Sequence, residues 1–145
     1  QQAFFDGQLA LAVELDLPVI VHDRETHADT FDILSELRPR GVLHCYSGSA
    51  EQAQQYARMG FYFGFGGAVT FKNARRALES AAVIPPDRLL LETDCPYMAP
   101  VPHRGELCTS DMIALTAERL AAELGTVPQA LIDRARDNGR RLFGI

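Results

Sequence analysis

Four short apolar runs, three of them followed by a polar cluster and the third in chain order by a glycine turn, constrain this chain most. They are Val19-Ile20-Val21, Val42-Leu43, Phe61 to Phe65 and Leu89-Leu90-Leu91. Continuous apolar runs of this length suit strands buried on both faces of a parallel sheet. Segments with helical spacing separate them. Gln1 to Leu15 sets Phe5, Leu9, Ala12 and Val13 at helical intervals, and Asp16-Leu17-Pro18 ends it. Ala28 to Leu37 places Phe31, Leu34 and Leu37 on one face before Pro39. Ser49 opens a third helix with Gln52 at the capping-box spacing, and Met59-Gly60 closes it. Gly66-Gly67 turns out of the third strand, and a short helix covers Asn73 to Ser80. Thr93 to Thr109 reads as a long loop holding Pro96, Pro100 and Pro102. A helix from Asp111 to Leu124 follows, burying Ile113, Ala117, Leu120 and Leu124. The last helix starts at Thr126, paired with Gln129 as a second capping box, and runs to Phe143. Alternating strands and helices predict an α/β fold with a parallel sheet and right-handed βαβ crossovers. No linker or low-complexity stretch divides the chain, so residues 1–145 read as one domain.

Composition then excludes several classes. Charged residues at 23% with 47% hydrophobic residues argue against disorder. A net charge of -5 argues against a surface coated for non-specific nucleic-acid binding, though not against a local basic site. No apolar run approaches a membrane span and no signal-peptide pattern opens the sequence, so the expectation is a cytoplasmic protein without a membrane partner. Three widely spaced cysteines do not read as a disulfide framework, and a reducing compartment follows. A length of 145 residues is short of a complete eight-stranded α/β barrel. That fold takes about 250 residues and at least about 200.

The strand ends carry the chemistry. The first strand runs into His22-Asp23-Arg24, the second into His44-Cys45-Tyr46-Ser47, the fourth into Glu92-Thr93-Asp94-Cys95. Ligands of α/β folds bind at the carboxyl ends of parallel strands. His22, His44 and Asp94 thus reach one face, and two imidazoles with a carboxylate suit Zn²⁺, Mn²⁺ or Fe²⁺. A single strand-terminal histidine is more often a hydrogen-bonded structural residue; three such positions on neighbouring units bring a joint metal site level with that reading. Glu92 has two readings: it points with Asp94 if the strand continues, or it serves a ligand histidine as an outer acceptor. A nucleophilic cysteine paired with a histidine is a rival, but Cys45 should face away from His44, and a small buried hydrophobe is its default. Cys108, in the polar loop, has no evident partner. Gly64-Phe65-Gly66-Gly67 lacks the spacing of a phosphate-binding loop and reads as a tight turn or close backbone approach. Arg104, in the loop, either clamps a phosphate or is a solvated surface residue. Ser47 and Ser49 lie near a helix N-terminus, where capping alone accounts for Ser49. His27 sits on the rim of the first strand–helix loop and is not read as a ligand.

Several stretches together resemble the TatD family of metal-dependent deoxyribonucleases. They are Pro18 to Arg24, Leu43 to Ser49 and Gly64 to Gly67, with Leu91-Glu92-Thr93-Asp94-Cys95-Pro96-Tyr97-Met98-Ala99-Pro100. Val101 to Gly105 and Asn138 to Phe143 match as well. The resemblance implies a TIM-barrel hydrolase of the amidohydrolase superfamily with two divalent ions, Mg, Mn or Zn. It assigns His22 and His44 to one ion. It assigns Asp94 to the other, and makes Asp94 the catalytic proton acceptor from the attacking water. It implies DNA as substrate, cleaved from the 3′ end, with Arg24 and Arg104 contacting phosphate. The family also carries a His-x-His strand and a strand with a bridging Glu, and these residues hold neither. Cys108-Thr109-Ser110 stands where many members have Asn-x-Pro. The expectation is therefore the C-terminal part of a TIM (β/α)8 barrel with about four strands, holding at most one ion and weakly active or inactive alone. The alternatives are a non-catalytic scaffold that self-associates through exposed sheet edges, and an amidohydrolase-type enzyme acting on a substrate other than nucleic acid.

Overall fold

A computed structural model describes residues 2–23 and 27–145. The elements are α1 (Gln2–Glu14), β1 (Val19–His22), α2 (His27–Leu37), β2 (Gly41–His44), α3 (Ala50–Arg58), β3 (Tyr62–Phe65), α4 (Arg75–Val83), β4 (Leu89–Leu91), α5 (Ile113–Leu124) and α6 (Pro128–Phe143). Short 3₁₀ turns cover Gly67–Thr70, Pro86–Arg88 and Ser110–Met112. The four strands are parallel and lie in chain order, β1-β2-β3-β4. The α/β reading from the apolar runs is therefore the observed architecture. Among the described residues no helix is long and apolar enough to cross a membrane.

Alternation along each strand sends side chains to two faces. One face carries Val21, Leu43, Phe63, Phe65 and Leu89, all buried among residues of the helices, including Leu34, Tyr56, Leu78 and Leu120. The other carries Ile20, Val42, Tyr62 and Leu90. Val42, Tyr62 and Leu90 form a second, smaller cluster with Leu142 of α6. Helix α6 packs chiefly against β4, and its Leu142 reaches Val42 of β2 and Tyr62 of β3. Asn138, fully buried, donates its amide to the carbonyls of Pro86 (3.0 Å) and Leu89 (2.8 Å). Arg40, just before β2, donates to the carbonyl of Leu142 at 2.8 Å.

Burial on both faces holds for β2 and β3 but not for β1. Val21 is 2% exposed while its neighbour Ile20 is 66% exposed. The physical reason is reach: the Leu142 cluster extends to Val42 of β2 and includes no residue of β1. Val13 of α1 likewise lies on solvent, while Leu9 and Ala12 are buried.

Helix starts follow local chemistry. The Oγ of Ser49 accepts the Gln52 N–H at 3.2 Å, as its spacing predicted. The Thr126 cap is corrected: Val127 occupies the cap position of α6, with no side-chain bond. Pro128 explains it, because a residue without an N–H is best placed at the first helical position. Replacing Ser49 by alanine should lower unfolding free energy by about 1 kcal/mol. Urea denaturation checks this, and an unchanged midpoint would contradict the cap.

Candidate metal centre

Parallel pairing of β1 and β2 aligns His22 with His44. Both end their strands on the face of Ile20 and Val42. Their ring centroids lie 5.7 Å apart with a 36° interplanar angle. His44 is half-buried and His22 is exposed.

The chain leaves β4 at Leu91, but the Glu92 N–H still bonds the Phe65 carbonyl at 3.1 Å. This carries the ladder one step further and swings the Glu92 carboxylate across the sheet face toward β2. Gly64 makes the path possible. A Cβ at that position would overlap the Glu92 carboxylate. Gly67 allows an equally close approach of the Met98 carbonyl. The glycine run thus works as a set of close approaches, the simpler of its two readings.

Glu92 then fixes His44. Its Oε2 lies 2.9 Å from His44 Nδ1, and its Oε1 accepts the Cys45 N–H at 2.5 Å. The Cys45 backbone is left-handed, with φ 48°, directing that N–H to the carboxylate. Burial pushes the Glu92 pKa above the ordinary glutamate value, against the pull of His44 and the Cys45 N–H. On the far side of the ring, His44 Nε2 lies 3.3 Å from Asp94 Oδ1. The two readings of Glu92 are resolved: Glu92 and Asp94 reach the same imidazole from opposite edges.

This arrangement has a chemical consequence. Both Glu92 oxygens face donors, so the network assigns the single proton of a neutral His44 to Nδ1. Nε2 then presents a lone pair to the Asp94 carboxylate. Two lone pairs at 3.3 Å repel unless the ring is protonated or a cation lies between them. Donors on adjacent vertices of one ion, with bonds of about 2.1 Å, are about 3.0–3.4 Å apart. The His44–Asp94 separation fits a divalent ion. A Glu92–His44 pair behind it is the usual outer support of a ligand histidine.

Not every predicted residue joins this pair. Among the described residues no three His, Cys, Asp or Glu side chains form a ready metal cluster. Arg24 lies outside the described residues. Arg104 is exposed, with its guanidinium carbon 3.7 Å from the centre of the Phe71 ring. Cys45 is held as a thiol, its pKa pushed up to about 11 by burial first and then by Glu92 and Asp94. A nucleophilic role for it is disfavoured on that ground. It lines a cavity of about 320 Å³ with Tyr46, Ser47, Phe65 and Phe71, beside the site. Gly64 beneath Glu92 is one of the close approaches the glycine run suggested; that the partner is a carboxylate of the site had no sequence signal beyond a glycine inside a bulky strand.

A parallel sheet with polar chemistry gathered at the strand carboxyl ends is the arrangement of the βα-barrel class. Comparison with known proteins narrows this. A family model described as TatD related DNase matches residues 1–144. The metal-dependent hydrolase YcfH of Escherichia coli K12 is 43% identical over all of this chain and 56% of its own length. YabD of Bacillus subtilis, also a metal-dependent hydrolase, is 40% identical over all of this chain and 58% of its own. The crystal structure of YJJV, a TatD homologue from Escherichia coli K12, superposes with TM-score 0.88 at 32% identity, covering 97% of this chain and 55% of that one. A TatD-family hydrolase from Entamoeba histolytica shares the fold with TM-score 0.77, at 19% identity over 94% of this chain and 54% of its own. The chain belongs to the TatD family, and it spans about half the length of the curated relatives it matches.

Proposed function

We propose that this chain takes part in metal-dependent hydrolysis of phosphodiester bonds in DNA. His22, His44 and Asp94 serve as metal ligands, and Asp94 accepts the proton of the attacking water. The observation that carries the reading is His44, gripped by Glu92 at Nδ1 and turned by it toward Asp94. A divalent ion held by these residues would supply charge to the phosphoryl oxygens and acidify water toward neutral pH. The protein's own contribution is orientation. Glu92 fixes the tautomer and plane of His44. Asp94, less buried than Glu92, remains open to solvent on one side and can take a proton. Arg104 stacks one face on Phe71, which leaves its in-plane N–H groups for a phosphate. The family match to TatD related DNase supports DNA as substrate, and the metal-dependent relatives support the ion.

The described residues supply one such donor pair, so this chain alone should hydrolyse 3′-labelled DNA at background rate in Mg²⁺ or Mn²⁺. A chimera tests the substrate. This chain replaces the matching 56% of YcfH, and the product is assayed on labelled DNA, a cyclic amide and a carboxylic ester. Metal-dependent release of 3′ nucleotides, abolished by Asp94→Asn, is the expected result. A folded chimera that cleaves the amide or ester and spares DNA overturns the reading.

A further inference from the structure

The loop after β4 holds a pair of sulfurs that the proposed hydrolysis does not use. Cys95 and Cys108 lie with their Sγ atoms 3.6 Å apart. Their backbones are tied together as well, since the Cys108 N–H bonds the carbonyl of Pro96 at 2.9 Å. The two residues are 13 positions apart in the chain. The partners differ in access: Cys95 is exposed and Cys108 is buried, 5% exposed. Packing explains Cys108 as a small buried apolar group. It does not explain a cysteine on the surface directly above it.

We infer that Cys95 and Cys108 form a reversible disulfide, with exposed Cys95 as the oxidant-sensing thiol and buried Cys108 as the resolving thiol. The oxidant is a peroxide. Cys95 sulfur attacks one peroxide oxygen: an S–O bond forms, the O–O bond breaks, and the departing hydroxide leaves as water with the thiol proton. Cys95 is now a sulfenic acid, oxidised by two electrons. Cys108 sulfur attacks Cys95 sulfur: the S–S bond forms, the S–O bond breaks, and a second water leaves with the Cys108 proton. A resolving thiol in contact with the sulfenic acid favours this step over further oxidation. Closing the sulfurs from 3.6 Å to a bond of about 2.05 Å needs only a small local shift. The bond staples the segment that bears Arg104 and abuts Asp94. The modification stands independently of the substrate proposed above.

The test uses the whole chain, reduced, freed of reductant and given equimolar hydrogen peroxide. Free thiols should fall from three to one. The intact mass should fall by about 2 Da, the loss of two hydrogens. An unreduced tryptic digest should yield residues 89–104 joined to 105–119, because Arg88, Arg104 and Arg119 bound those peptides. Dithiothreitol should reverse all three changes. Cys45→Ala should keep the cross-link. Cys108→Ala should lose it and leave a Cys95 sulfenic acid that dimedone traps. Four results overturn the inference. They are no loss of thiols, a bond to Cys45, sulfinic acid at Cys95 with Cys108 present, and equal cross-linking in denaturant.

Discussion

A chain carrying His44→Ala should lose the stabilisation that a divalent ion gives the parent. An ion present at about 100 times its Kd stabilises a folded chain by about 2.7 kcal/mol. His44 is the residue that Glu92 and Asp94 both touch, at 2.9 and 3.3 Å. Without the imidazole, two carboxylates remain and the nitrogen donor between them is gone. The increment with Zn²⁺ or Mn²⁺ should then vanish. Glu92→Gln is the graded companion. It keeps the imidazole and weakens its support, and loss of such a partner lowers metal affinity about 10–100-fold. Urea unfolding with and without metal, beside calorimetric titration, reads both. Taking the difference with and without metal separates the ion from the packing cost of each substitution. Equal metal increments in parent and His44→Ala would remove His44 from the centre.

Phe63→Ala should cost the fold about 3–5 kcal/mol, the range for emptying a large buried aromatic site. Phe63 is 0% exposed in the interior of the sheet. It pairs with Leu43 on one side and Leu89 on the other. Its ring meets Tyr46 edge-on with centroids 5.1 Å apart. Small domains hold only about 5–15 kcal/mol in all, so this single change takes much of the margin. Ile20→Ala is the contrast. The side chain is 66% exposed, and its loss should move stability by about 0.5 kcal/mol or less. A chemical denaturation series decides between them. Similar costs at both sites would mean that the face of Ile20 is covered in solution.

The strands were legible because three of the apolar runs end abruptly in a polar cluster and the third in chain order in a pair of glycines, and that transition marks both a strand and its end. The pairing of His22 with His44 followed once the strands were known to be parallel neighbours. Which of its two readings Glu92 would take was not legible. Its direction depends on one further ladder bond to Phe65, on the left-handed turn at Cys45 and on the missing side chain of Gly64. These are tertiary facts, and strand periodicity stops one residue too soon to foretell them. The stack of Arg104 on Phe71 joins two loops that no local pattern connects. Thr126 failed as a cap because two local rules competed, and the proline rule prevailed over the capping-box spacing. The open face of β1 was hidden for another reason: an apolar run states what a strand would bury, not what is present to cover it.

The agreement between sheet order and chain order has a consequence for how the molecule assembles. Each strand needs only its immediate predecessor as a template, one crossover earlier. Pairing can therefore advance unit by unit as the chain emerges, with modest loop closure at each step. The contact from Arg40 to Leu142 breaks this pattern, spanning 102 positions. It ties the edge of the second unit to the end of the final helix. The progressive sheet and its long-range tie thus place different loop-closure demands on the chain, short between neighbouring strands and long for the final helix.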